Sequence, residues 1–257
     1  MRPLLVSAGV VLAAAINLSC AKDPADLTPF PCSADKQCPA DLFCLAGVGC
    51  VAPTPCQLGA CSNGLVCRTS RTGASTCLPQ VDDVLAAEFC ATDNPCGNWS
   101  YGWAQSLTDP FTLMVNAFDP QLADWRDRAG GFVEVVHNPT SATLGILPAG
   151  VVALFPGNNG ELAIVRWQAP SLGAYRITAT FTGIDEGLSG GRATTARVRR
   201  GNTVLKEGVI SAVGGTVQFS GDLTLDGYEL IEFLIDWGSD ESFTNDLTQL
   251  EAEIKAQ

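Results

Sequence analysis

Eleven cysteines stand in a chain of 257 residues, and eight of them fall between Cys32 and Cys77. They follow one another almost evenly, at Cys32, Cys38, Cys44, Cys50, Cys56, Cys61, Cys67 and Cys77. Thiols at that density persist where oxidation is allowed, whereas in a reducing compartment they would be read as metal ligands. Metal is the weaker reading: no two cysteines have the CxxC spacing, and the one histidine, His137, is far away in sequence. So short a segment buries little apolar surface, so bridges must hold it, each contributing about 2–4 kcal/mol in the loop-entropy account. The chain is therefore expected to be exported and to begin its folded part with a disulfide-stapled region over 32–80 that has little regular structure.

The region reads as a tandem repeat. Cys38-Pro39-Ala40-Asp41-Leu42-Phe43-Cys44 aligns with Cys61-Ser62-Asn63-Gly64-Leu65-Val66-Cys67, each with two hydrophobes before a cysteine and after a turn-like polar stretch. Eight cysteines allow 105 pairings, but two independent four-cysteine units allow three each. Within each unit, first-to-third and second-to-fourth bridges are expected. Beyond the repeat, Cys90 and Cys96 enclose five residues and are expected to bridge each other. The repeat resembles the cysteine-rich, EGF-like or Dickkopf-like segments that follow the anchor in myxobacterial lipoproteins, which implies a spacer or interaction stalk.

The N-terminus has the layout of a secretory signal over 1–20: Arg2, an uncharged apolar run from Leu4 to Ile16, then Asn17-Leu18-Ser19-Cys20. The run is too short to span a bilayer as a helix. Cys20 after a small residue resembles the lipobox of bacterial lipoproteins, with Asn17 where those carry Leu. That resemblance implies acylation of Cys20 and anchorage to the outer membrane or cell surface. Cleavage after Ala21, on the Ser19-x-Ala21 pattern, is the alternative and would leave a secreted or periplasmic chain. Residues 21–31, with Pro24 and Pro29, read as a tether.

Composition changes near residue 80. Val81 to Phe89 can make one or two helical turns, with Asp82 and Asp83 at the positive end, and 81–94 reads as a connector. From 95 to 257, short β-rich runs alternate with Gly, Asn and Pro, as in an all-β antiparallel sandwich. In Ala174 to Phe181 the residues Tyr175, Ile177, Ala179 and Phe181 share one face, and Arg176, Thr178 and Thr180 the other. Further strands are expected at Gly131 to His137, Leu162 to Gln168, Thr194 to Arg199, Thr203 to Ile210, Thr216 to Phe219, Leu223 to Leu225, Glu229 to Ile235 and Leu250 to Ile254. Arg200-Gly201-Asn202 and Asp226-Gly227 carry hairpin chemistry.

A series of marks runs in order through this part: Asn98-Trp99-Ser100-Tyr101-Gly102, Trp125, Leu154-Phe155-Pro156-Gly157, Val165 to Pro170, Gly173 to Ile177, Phe181 to Asp185, Asp236-Trp237-Gly238 and Asn245 to Leu250. The series resembles a jelly-roll domain of exported bacterial proteins, many of which end in a PEP-type sorting tail. Trp167-x-Ala169-Pro170 followed by Gly173-x-Tyr175-x-Ile177 is similar to β-sandwiches of the carbohydrate-binding type. The resemblance implies a polysaccharide or glycoconjugate ligand, held by loop and rim residues. No sorting tail precedes Gln257, and an N-terminal lipid is expected to serve retention instead. A structural or protein-interaction role in the envelope is the competing reading.

Five aromatic residues are candidates for the ligand site. Trp99, Tyr101 and Trp103 alternate, so they share one face, either as a platform for sugar rings or as core. Trp125, in Asp124-Trp125-Arg126-Asp127, is the one expected to be exposed, and Trp237 is expected at a rim beside Asp236 and Asp240. Trp167 is expected in the core. Asp236, Asp240 and Asp246, with Glu241, Asp185 and Glu186, are oxygen donors of the kind calcium takes, although the EF-hand spacing is missing and a solvated acidic loop is the alternative. His137 reads as a polar strand end, and Arg197-Val198-Arg199-Arg200 as the solvent face of a hairpin arm.

A net charge of −12, from 15 basic and 27 acidic residues, opposes binding to nucleic acid. No catalytic motif is recognised, with neither a P-loop nor an H-E-x-x-H helix, and nothing selects a carboxylate pair of the kind glycoside hydrolysis needs. A non-catalytic binding protein is expected.

Overall fold

The computed structural model describes residues 82–257, apart from 117, 118, 120, 129, 130 and 189–192, together with Cys61 and five short strands between 43 and 79. The signal, Cys20, the tether, and Cys32, Cys38 and Cys56 lie outside the described residues. Strands β1 (Phe43–Leu45) and β2 (Gly49–Val51) pair antiparallel, with Cys44 facing Cys50. β3 (Thr54–Pro55), β4 (Leu65–Thr69) and β5 (Ser75–Pro79) form a second small sheet in which Cys67 faces Cys77. The third and fourth cysteines of each unit thus occupy facing positions on paired strands. Cys61 bridges Cys77 with Cα atoms 5.7 Å apart, the second-to-fourth pairing of its unit. Cys90 bridges Cys96 as expected.

The larger unit begins with β6 (Asp82–Val84) and a single helical turn α1 (Leu85–Glu88). There follow β7 (Trp99–Ala104), β8 (Thr112–Leu113), β9 (Val115–Asn116), β10 (Ala123–Arg126), β11 (Glu134–His137), β12 (Val152–Phe155) and β13 (Leu162–Gln168). The series continues with β14 (Gly173–Gly183), β15 (Thr194–Arg200), β16 (Thr203–Ile210), β17 (Thr216–Leu225), β18 (Leu230–Asp236) and β19 (Thr248–Ala256). They make two antiparallel sheets facing each other, a jelly-roll type of sandwich. One has the order β17-β14-β19-β12-β11-β10-β9, with β6 also on β19, and the other the order β16-β15-β18-β13-β7-β8.

Alternation places the core. Tyr175, Ile177 and Phe181 of β14 and Leu250 and Ile254 of β19 point inward from one sheet, to meet Trp99, Val165, Trp167, Ile231 and Phe233 from the other. Each large side chain taken out of water contributes about 1.5–3 kcal/mol. Arg176 and Asp222 pair on the outer face of the first sheet, as the period of two requires.

The structure revises three expectations. Within 81–94, read as a connector, residues 82–85 form part of the sandwich: β6 pairs with Glu253–Lys255 of β19, and Leu85 is fully buried in the core. The two aspartates there do not lie in a helical turn. Asp83 sits on β6, where its Oδ2 accepts hydrogen bonds from Trp167 Nε1 at 2.5 Å and Asn98 Nδ2 at 2.7 Å. Arg200-Gly201-Asn202 does close the β15–β16 hairpin, with Gly201 at φ +55°. Asp226-Gly227 does not close one, because β17 pairs with β14 and β18 with β13 and β15. That turn carries the chain from one sheet to the other.

Candidate functional site

Of the two readings of the face shared by Trp99, Tyr101 and Trp103, the core one holds and the platform does not form. Trp99 and Tyr101 are fully buried, and Trp103 is half-buried against the same core. Their shared face is real, but it faces inward. Trp125, expected outside, is only 4% exposed, and its indole N–H donates to the Cys90 carbonyl at 2.8 Å. The charge around it misleads because neighbours on a strand point the other way. Asp124 and Arg126 lie on the outer face, where Arg126 bridges Asp124 at 3.0 Å and Glu134 at 3.4 Å. Burial and the nearby Asp124 push the Glu134 carboxyl up to about 7, while Arg126 holds it down. This acid pair lies outside the clefts described below.

Nor do the proposed calcium ligands converge. Asp236 accepts from Arg197 Nη1 and, at 2.8 Å, from the Gly238 N–H, so one cation already neutralises it. Asp246 is buried, and Asp185 accepts from Asn245 Nδ2 at 2.9 Å and from the Gly187 N–H at 3.0 Å. Among the described residues, no three acidic, His or Cys side chains come together as a metal site. The arginine run is likewise not a solvent face. Glu232 of β18 is only 3% exposed and takes Arg166 from β13 and Arg199 from β15. The Arg166 guanidinium lies 3.6 Å from the centre of the Phe111 ring, and Arg199 Nη1 donates to the Leu107 carbonyl at 2.7 Å.

Trp237 does reach a rim. It follows β18, is half-buried, and lines a cleft of about 360 Å³ with Asp236, Gln105, Ser106, Thr108 and Gly160. Gly160, at φ +85°, lies against the indole so closely that a Cβ there would come within 2.7 Å of Cζ2. The facing wall is the β7–β8 loop, and three contacts fix it. Gln105 Nε2 donates to the Asn159 carbonyl at 3.1 Å, Ser106 Oγ donates to Asp109 at 2.6 Å, and Arg199 holds Leu107 from beneath. An aromatic wall facing immobilised hydroxyl, amide and carboxylate groups can take a ligand with both an apolar face and hydroxyls.

Two other clefts were not foreseen. One, of about 370 Å³, opens where β12 and β6 leave a gap along the same edge of β19; Val84, Val151, Thr178, Thr180 and Glu251 are among its lining residues. The other, of about 520 Å³, lies at the opposite end of the sandwich beside Tyr228. An aromatic directly after Asp226-Gly227 was the available signal for it.

At the strap formed by β6 and α1, Glu88 accepts from Trp99 Nε1 at 2.9 Å. Burial and the charge of Asp83 push its carboxyl up to about 7. Burial also lowers the pKa of His137, whose ring lies 5.2 Å from that of Phe89. The string Gly187-Leu188-Ser189-Gly190-Gly191 has the G-x-S-x-G spacing of a hydrolase nucleophile elbow. It falls between strands β14 and β15, whereas the elbow joins a strand to a helix, and Ser189 lies outside the described residues.

No family model and no curated protein sequence matches the chain. Among solved structures, it is similar to the K1 cleaved adhesin domain of Lys-gingipain from Porphyromonas gingivalis. That match covers 70% of this chain and 99% of the other, at 16% identity and a TM-score of 0.40. A CBM51 from Clostridium perfringens GH95, in complex with methyl-galactose, aligns over 68% of this chain and all of its own, at 10% identity and a TM-score of 0.30. A family 35 carbohydrate-binding module from Clostridium thermocellum aligns over 46% and 86%, at 11% identity and 0.28. At these values no ligand is transferred from them.

Proposed function

We propose that this protein is a non-catalytic carbohydrate-binding protein of the bacterial envelope, exported and anchored through a lipid on Cys20, which recognises a polysaccharide or glycoconjugate in the Trp237 cleft. The observation that carries the reading is the cleft itself: one indole, backed by Gly160 and faced by the ordered Gln105, Ser106 and Thr108. A pyranose ring offers C–H groups to the indole and hydroxyls to the opposite wall. The test is affinity electrophoresis of the oxidised mature chain through gels containing a panel of polysaccharides, with Trp237→Ala beside it. Retardation that the variant loses supports the reading, and equal retardation of both chains overturns the location.

A second reading, a module that binds other envelope proteins, draws on the edge strand β16. Val204 and Val209 are exposed there, at 44% and 61%. Lys206 and Glu207 interrupt that edge, and charges on an edge strand discourage pairing with another chain.

A further inference from the structure

The turn that carries the chain from β17 to β18 holds a side chain in an unusual way. Tyr228 adopts φ +71°, a left-handed backbone that costs a residue with a Cβ about 1–2 kcal/mol. Three backbone hydrogen bonds clamp it there: Tyr228 N–H to the Ala169 carbonyl at 2.7 Å, Ala169 N–H to the Glu229 carbonyl at 2.8 Å, and Glu229 N–H to the Asp226 carbonyl at 3.1 Å. The ring gains little packing in return, since Tyr228 is 77% exposed, the highest value among the exposed large hydrophobics of the described residues. Strain maintained in a fixed backbone to hold an aromatic in water points to use of that aromatic.

Tyr228 borders the cleft of about 520 Å³, whose other walls are Thr203, Leu205, Leu230, Arg200 and Glu229. Arg200 Nη2 donates to both Glu229 oxygens, at 2.8 and 2.7 Å, and Glu229 also accepts from the Asp226 N–H at 2.6 Å. The pair is therefore held in place, is close to neutral, and offers both donors and an acceptor. A chain of net charge −12 disfavours a polyanion there.

We infer that this cleft is a second carbohydrate site, taking a neutral pyranose unit with its apolar face on Tyr228 and its hydroxyls toward Arg200, Glu229 and Thr203. Leu230 lines this cleft and Asp236 the Trp237 cleft, at the two ends of one seven-residue strand. The two clefts are thus separated by about 20 Å at the rise of a β-strand. Two sites at that distance let one chain grip two glycan strands, or two stretches of one, and multiply modest affinities.

The experiment is calorimetric titration of the full oxidised chain with neutral gluco-, galacto- and manno-oligosaccharides of four units, comparing Tyr228→Ala, Tyr228→Gly, Trp237→Ala and the double alanine variant. Two sites per chain are expected, with Tyr228→Ala weakening one at least tenfold and the double variant silent. Tyr228→Gly is expected to raise the unfolding midpoint while losing the same site, an outcome that a purely structural role for the ring excludes. If Trp237→Ala abolishes all binding and Tyr228→Ala changes nothing, the second site is wrong and the first stands. If Tyr228→Ala abolishes all binding and Trp237→Ala changes nothing, the second site stands and the first is wrong. Absence of binding by the unaltered chain to every oligosaccharide overturns both.

Discussion

The Trp99 indole donates its Nε1–H to the Glu88 carboxylate at 2.9 Å, joining the strap that precedes the sandwich to the centre of its core. A glutamate held up to about 7, against 4.5 when free, binds more proton in the folded chain than in the unfolded one between those values. Folding stability therefore falls as pH rises from about 4.5 to 7 through this group. Glu134 acts in the same direction over the same window. His137, with its pKa lowered, acts oppositely and contributes a loss as pH drops below its free value of 6.5. Glu88→Gln is expected to flatten the descent between pH 4.5 and 7 in urea midpoints. Parallel profiles for the two chains would show that Glu88 titrates normally.

Leu85 tests whether the strap belongs to the folding unit. It is fully buried and stands on the single helical turn after β6. Leu85→Ala is expected to lower the unfolding free energy by about 2–5 kcal/mol, the range for a buried Leu that leaves a cavity. A loss below about 0.5 kcal/mol, typical of surface positions, would return the strap to the status of a connector.

The ion pairs around Glu232 yield a third expectation. Glu232→Ala leaves Arg166 and Arg199 facing each other beneath Phe111 and Leu107, with Arg199 itself only 7% exposed. Removing one partner of a buried pair costs about 3–5 kcal/mol. Denaturant unfolding measures it, and the same variant should weaken any ligand of the Trp237 cleft, because Arg199 supports Leu107 in the cleft wall.

Gly160→Ala probes the other wall. The left-handed backbone alone costs about 1–2 kcal/mol, and the new methyl would meet the indole of Trp237. A shift in the tryptophan near-UV circular dichroism is expected together with that loss. An unchanged spectrum would mean that the indole does not rest on Gly160.

Where the sequence was legible, it was legible through period and turn chemistry. β13 and β16 have the bounds read from alternation, Gly201 closes the hairpin assigned to it, and the Cys90–Cys96 bridge follows from proximity. Trp125 shows the limit. Charged neighbours suggest solvent, yet on a strand they occupy the opposite face, and only knowledge of what covers the inner face decides. The Asp226-Gly227 turn shows another limit: local chemistry announces a reversal but cannot say whether the next strand returns to the same sheet. Tyr228 was missed because its exposure depends on a backbone angle that composition does not reveal.

Strand β19 lies between β14 on one side and β12 and β6 on the other, although it comes after all of them in the chain. A polypeptide emerging from its N-terminus holds an empty central slot in that sheet until residues near 256 are free, and the closure joins segments about 170 positions apart. Contacts of such long range make assembly slow and all-or-none. Chains truncated before β19 should therefore remain exposed to proteolysis from β6 onward, rather than accumulate as half-built sandwiches.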